Sequence, residues 1–396
     1  MIKKFNYLLL ILCILSACRQ DSGQNNGESA TRIIESLLPE IMEKIRQDYI
    51  EPVDEQKLAE GALNGLLTTL DPFSVYLNQK DFQLLTDATK GEFAGVGLEI
   101  IATKGIIKVI AAIDDTPAYK AGIKAGDVIS HINGQEVHKL SPNNALQQLQ
   151  GEEGTEISLT ILRKDLESFV VKLKRSVIKV NPVKFMIKQD VAYIRIASFN
   201  ENATGKLHEA LQKLSVTPDI NGLILDLRNN PGGTLEQAVE VASSFLDSGV
   251  IVDIKSRNSD YNQTIRTINR DLIKGVPMVV LINKGSASAS EIVAGALKDH
   301  KRAIVMGTQS FGKGSVQTLF SIPGYGGFKL TTASFYTPKG NAIQNKGIEP
   351  DILVEEDETS VKKEDIKPPF SELPVDYQMQ RAIDLLRGLS VFQMKG

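Results

Sequence analysis

Cysteine is almost missing from this chain of 396 residues: there are two, Cys13 and Cys18, both near the N-terminus. Nothing folded downstream of them can rest on a disulfide framework, and no Cys/His cluster has the spacing of metal ligands. A chain of this length does not need cross-links, because its core is not small. Histidine is scarce as well, limited to His131, His138, His208 and His300. The first two fall in a β-rich region and the third on a helical pattern. Only Asp299-His300 lies near a serine-rich segment, and an imidazolium there has a simpler role against a helix C-terminus. Lys and Arg total 45 against 48 Asp and Glu, a formal net charge of −3, and the basic residues form no long block. That excludes the usual electrostatic signature of nucleic-acid binding. No metal and no other cofactor is expected.

The N-terminus carries Lys3 and Lys4, an apolar run over residues 7–17, and then Cys18. A charged start, a short apolar stretch and small residues describe an export signal, too short to span a bilayer as a mature helix. Leu15, Ser16, Ala17 and Cys18 look like a bacterial lipobox, with cleavage before Cys18 and lipid on its thiol. Residues 1–17 are then a lipoprotein signal peptide, and residues 18–29, rich in Gly, Asn, Gln and Ser, a flexible tether. An ordinary secretory signal cut nearby is the plainer alternative. The lipid reading predicts an exported protein anchored to a membrane of the cell envelope, facing periplasm or cell exterior.

Residues 30–88 read as helical: Ile34, Leu37, Leu38, Ile41 and Ile45, then Leu58, Leu63, Leu66 and Leu67, recur at helical spacing before the turn at Asp71-Pro72. Residues 89–175 hold short β-rich runs near 96–101, 106–110, 127–132 and 157–162, punctuated by turns such as Asn133-Gly134. Over residues 176–355 strands at 191–196, 222–227, 278–282 and 303–306 alternate with helical patterns such as 235–246, the signature of an α/β core. Residues 356–396 give a charged linker and an amphipathic helix over 377–389.

Three serines, Ser286, Ser288 and Ser290, alternate between the apolar run 277–282 and a helical pattern starting at Glu291. A strand-to-helix turn of this kind exposes a hydroxyl above a sheet. Spacing does not choose among the three, and Ser288 with Glu291 also fits a capping box. Lys313 supplies a base without histidine if burial lowers its pKa. Lys313 and Gln317 are four apart in a strand-like run, which places them on one face and lets the Gln317 amide oxygen accept from the amine. In Asn230-Pro231-Gly232-Gly233 the glycines let main-chain N–H groups face a developing oxyanion. The Gly232 amide is paired here with that of Ala289, and Gly233 is the close second. Residues 307–313 nearly spell a phosphate-binding loop, but Gly314 stands where Ser or Thr is needed and a strand follows where a helix should.

These segments, in this order, with Asp226-Leu227-Arg228 upstream, resemble the carboxy-terminal processing peptidases of family S41, serine proteases with a Ser/Lys pair. The likeness runs from about Ala30 to the C-terminal tail. Residues 117–134, including Gly122, Asp127 and Gly134, resemble a PDZ domain. The resemblance implies a multidomain α+β protein: an α/β core of the crotonase-like (ClpP/crotonase) type, an inserted PDZ β-domain and an N-terminal helical segment. It makes Ser288, the middle serine, the nucleophile, Lys313 the base and Gln317 the third member. It further implies an endopeptidase that cleaves envelope proteins near their C-termini. Apolar substrate tails would add as a strand to the PDZ groove, the carboxylate captured at Gly95, Val96, Gly97 and Leu98. Arg163 is the candidate contact between PDZ domain and core, where gating by a tail, activator or adaptor would act. The helical segment either dimerises or packs on its own chain. From another class, a noncatalytic PDZ scaffold with a relic hydrolase core is disfavoured by intact Ser288, Lys313 and Gln317.

Overall fold

The computed structural model describes residues 32–355 and 376–393, apart from 104, 114–115, 125, 141–144, 146–147, 164–165, 189 and 269. The signal, Cys18, the tether and most of the charged linker lie outside the described residues. The chain divides into two units, residues 1–66 and 67–396. In the first, helix Leu38–Asp48 starts with a proline in its first turn, where a missing N–H costs nothing. Arg46 ties it to Glu55 at 2.7 Å, at the start of helix Glu55–Thr68. No residue of either helix is buried.

Within the second unit, the continuous apolar runs are explained by a sheet covered on both faces. Its order is Val183–Lys188, Val191–Ile196, Gly222–Asp226, Met278–Ile282, Ile304–Gly307 and Ile352–Leu353, the first pair antiparallel and the rest parallel. Alternate residues serve different cores. Ala192, Ile194, Leu223, Leu225, Val280 and Ile282 pack with helices Ala203–Ser215, Leu235–Ser243 and Ala289–Asp299. Val191, Tyr193, Ile224, Val279 and Leu281 pack with Met379, Ala382, Ile383 and Leu386 of the C-terminal helix Tyr377–Gln393. Arg228 fastens the start of that helix, pairing with buried Asp226 and reaching Asp376 and Gln378.

A second, five-stranded antiparallel sheet joins Val75–Leu77, Gly326–Tyr336, Val250–Ser256 and Gln263–Arg266, with Ser315–Ile322 also paired to Gly326–Tyr336. Sequence patterning had not marked the long strand Gly326–Tyr336, whose residues are mostly half-buried without alternation.

The segment 92–179 leaves and re-enters through a two-stranded ribbon, Glu92–Gly95 against Ser176–Lys179. Between them stands a sheet of order Leu98–Thr103, Ile106–Ala112, Val128–Ile132, Glu156–Leu162, Phe169–Lys174, with its own core around Ile107, Ile129, Leu159 and Ile161. Gly95 therefore closes a strand rather than lying in a loop. Val96 and Gly97 make the connection, and Leu98 opens an end strand of the sheet.

Among the described residues, the hydrogen bonds of Arg163 stay inside its own domain. Its guanidinium grips Asp127 through two bonds of 2.7 and 2.8 Å and the Gly122 carbonyl at 2.8 Å, all within the same domain. Asp127 is only 1% exposed, so a buried carboxylate needing a counter-charge explains this arginine.

Candidate active site

The candidate residues converge at the C-terminal ends of the parallel strands, where open α/β sheets place their sites. Gly232 follows strand Gly222–Asp226, Ser288 follows Met278–Ile282, and Lys313 follows Ile304–Gly307.

The three serines have different surroundings. Ser286 is fully buried, its hydroxyl donating to the Leu227 carbonyl at 2.8 Å and accepting from the Asn283 N–H. Ser290 is fully buried too and donates to the Asn230 carbonyl at 2.9 Å. Ser288 alone of the three is partly exposed. It caps helix Ala289–Asp299 with φ 55° and ψ −113°, a backbone state that a non-glycine residue adopts only when its surroundings impose it. Strand-to-helix elbows that project a nucleophile store strain in this way.

Glu291, read from sequence only as a cap, holds the turn. It is fully buried and accepts four hydrogen bonds. Oε2 takes the N–H groups of Ser288 at 2.8 Å and Lys313 at 2.9 Å, and Oε1 takes the Ser310 hydroxyl at 2.5 Å and the Gly312 N–H at 2.7 Å. One carboxylate thus fixes the serine turn to the lysine loop. The same bonds rule out the phosphate-loop reading, since the Gly312 and Lys313 amides are turned to a carboxylate and strand Ser315–Ile322 follows.

Lys313 is half-buried, and its pKa is lowered, first by burial and then by the Lys329 charge, with Glu291 opposing. Its Nζ lies 4.9 Å from the centre of the Phe73 ring. Among the described hydrogen bonds it has none to Ser288 or Gln317. The parity argument for a shared face does not apply, because Lys313 precedes its strand and the pairing register shifts between Val316 and Gln317. Gln317 instead donates to Thr331 Oγ1 at 2.7 Å, leaving its own buried amide oxygen without a partner among the described residues.

Gly232 has φ 106°, and a β-carbon there would stand 2.9 Å from Ser288 Cβ and 3.0 Å from the Ala289 nitrogen. Only glycine permits that approach. Its amide, however, donates to Asn230 Oδ1 at 2.9 Å, so the Gly232 N–H expected to face an oxyanion is already engaged. The exposed neighbour Gly233 and the first-turn residue Ala289 have N–H groups with no partner among the described residues. Among the described residues no histidine hydrogen-bonds to Ser288. His300 caps the far end of helix Ala289–Asp299, about 18 Å along its axis from Ser288, and its ring bonds the Val250 carbonyl. A cavity of about 580 Å³ beside Gly295, Lys298 and Thr337 includes none of these groups.

In the β-domain, the Val96 and Gly97 carbonyls turn inward, to the Ala118 and Ile113 N–H groups at 2.9 Å each. Gly97 has φ 80°, and a side chain there would strike Thr116.

Comparison with known proteins accords with this architecture. Residues 190–354 match peptidase family S41, residues 108–163 a PDZ domain, and residues 17–81 the N-terminal domain of the activating protease CtpB. The chain is 45% identical over 335 residues to a carboxy-terminal-processing protease of Bartonella bacilliformis, covering 84% of this chain and 77% of that one. It is 34% identical over 391 residues to the carboxy-terminal processing protease CtpB of Bacillus subtilis, covering 95% and 81%. An S41-family crystal structure from Bacteroides fragilis, 17% identical, shares the fold with a TM-score of 0.56 over 88% of this chain and 97% of that one. The chain belongs to the PDZ-containing carboxy-terminal processing peptidases of family S41.

Proposed function

We propose that this protein is a serine endopeptidase that cleaves envelope proteins near their C-termini, with Ser288 as nucleophile and Lys313 as its general base. The observation that carries the reading is the Glu291 bridge, which holds an open, strained serine and a lysine of lowered pKa in one rigid frame. The Lys313 side chain turns from the Phe73 ring toward Ser288, and the neutral amine takes the hydroxyl proton as Oγ attacks the scissile carbonyl. The Ala289 amide, with Gly233 rather than Gly232, stabilises the oxyanion. The lysine ammonium then protonates the leaving amine, and the acyl-enzyme is hydrolysed by water that Lys313 deprotonates. The crotonase-like arrangement of the core belongs to this reading.

The PDZ domain takes an apolar substrate tail as an added strand along Leu98–Thr103, an end strand with one open edge. Tail or activator binding favours the form in which Lys313 meets Ser288. Cys18 carries the lipid that anchors the protein in the envelope, and the N-terminal helices serve a homodimer. A fluorophosphonate probe tests the nucleophile. We expect a single adduct on the peptide containing Ser288, reduced about 10²-fold or more in rate by Lys313→Met. An adduct on Ser286 or Ser290, or labelling indifferent to Lys313→Met, would refute the pair.

A further inference from the structure

Asn230 is fully buried and takes no part in the proposed reaction, yet both ends of its side-chain amide and both of its main-chain groups are engaged. The direction of the amide is settled by its partners. Nδ2 donates to the Ile196 carbonyl at 2.8 Å, at the end of strand Val191–Ile196, and Oδ1 accepts from the Gly232 N–H at 2.9 Å. A carbonyl can only accept and a main-chain N–H can only donate, so the amide turned over would lose both bonds.

The main-chain carbonyl of the same residue holds the serine turn. It accepts from the Ala287 N–H at 3.0 Å and from the Ser290 hydroxyl at 2.9 Å. These two donors bracket Ser288 and Ala289, the nucleophile and one oxyanion donor of the proposed reaction. The side chain sets the other donor. Gly232 has its N–H on Asn230 Oδ1 and its carbonyl on the Phe199 N–H at 2.9 Å, so it is held from both sides. Across a trans peptide the N–H points opposite to the carbonyl. The Gly233 N–H is thereby directed away from the Phe199 N–H, and it has no partner among the described residues.

We infer that Asn230, anchored by Ser290, is a positioning residue that sets the two oxyanion donors, the Gly233 and Ala289 amides, in register with each other. Its side chain orients the loop that carries one donor, and its carbonyl pins the turn that carries the other. Ser290 acts here through a buried hydroxyl that stays clear of the substrate. Cutting either bond shifts one donor relative to the other and weakens the hold on an oxyanion.

The inference rests on the Ser288 reading, and its test keeps the two apart. A peptide ester and its thionoester, which differ only in C=O against C=S, are turned over by the full chain, Asn230→Ala, Ser290→Ala, Ser290→Thr and Ser288→Ala, with folding checked by circular dichroism. Sulphur accepts hydrogen bonds weakly, so the ratio of ester to thionoester kcat reads the oxyanion donors. A site merely loosened slows both substrates alike. Asn230→Ala should lower the ester kcat about 10²-fold with KM nearly unchanged, and reduce the ratio about tenfold or more. Ser290→Ala leaves the Ala287 bond and should reduce the ratio by less. Ser290→Thr keeps the hydroxyl, and with it the parent ratio. An unmoved ratio in both alanine variants overturns the inference, even if both rates fall. So does a ratio that rises in Asn230→Ala, the sign that a freed Gly232 amide is the better donor. Should Asn230→Ala not fold, Ser290→Ala beside Ser290→Thr decides alone. Ester cleavage by Ser288→Ala at the parent rate refutes the Ser288 reading and the inference with it, whereas cleavage that needs Ser288 but shows an unmoved ratio sinks the inference only.

Discussion

A carboxylate has room for about four hydrogen bonds, and Glu291 uses them all on the serine turn and the lysine loop. Exchange for glutamine keeps the shape but replaces one acceptor oxygen with a donor facing two donors. We expect Glu291→Gln to lose about 1–3 kcal/mol of stability for each donor left unsatisfied, seen in chemical denaturation. The rate of Ser288 modification should fall about 10²-fold. A variant as stable and reactive as the parent would show that the bridge does not organise the site. From sequence, the serine alternation was legible but the choice among Ser286, Ser288 and Ser290 was not. What separates them is burial against the Leu227 and Asn230 carbonyls, contacts that lie about sixty residues away in the chain. Glu291 was visible only as a local cap because its other partners follow a further strand.

At the scale of elements, strands buried on both faces announce themselves as unbroken apolar runs, and the four inner strands of the central sheet were read close to their true positions, whereas its end strands Val183–Lys188 and Ile352–Leu353 were not. Strand Gly326–Tyr336 was not either, because it begins with two glycines and shows no clean alternation. The ribbon Glu92–Gly95/Ser176–Lys179 escaped for another reason: its halves pair across a whole domain. Arg163 has its described partner, Asp127, in its own domain, a pairing across 36 residues that no local pattern marks. Breaking a buried pair costs about 3–5 kcal/mol, and Arg163 is partly exposed, so the lower end applies. Arg163→Ala should therefore loosen the β-domain, with faster hydrogen exchange over residues 98–174, while Ser288 keeps its reactivity toward a small probe. Wild-type protection in that domain together with altered Ser288 reactivity would restore a gating contact.

On the scale of the whole molecule, the site is assembled from segments that no short window contains. The sheet brings Gly232, Ser288 and Lys313 to one end, and the C-terminal helix seals its opposite face through Ile383 and Leu386, anchored by Arg228. The 71–74 turn, before the PDZ domain in sequence, closes over the lysine after it. Such an assembly is what the proposed Ser288/Lys313 mechanism requires, provided the lysine is neutral at working pH. Because burial and Lys329 lower its pKa, the active form should appear as pH rises through a midpoint below the ordinary lysine value of about 10.4.

The most direct measurement is cleavage of an unfolded protein with an apolar C-terminus by residues 19–396, followed by mass spectrometry across pH, beside Ser288→Ala and Lys313→Met. The account predicts products cut near the substrate C-terminus that rise through one ionisation below the lysine range and vanish in both variants. Equal cleavage by the parent and either variant, or a midpoint at the ordinary lysine value, would contradict it.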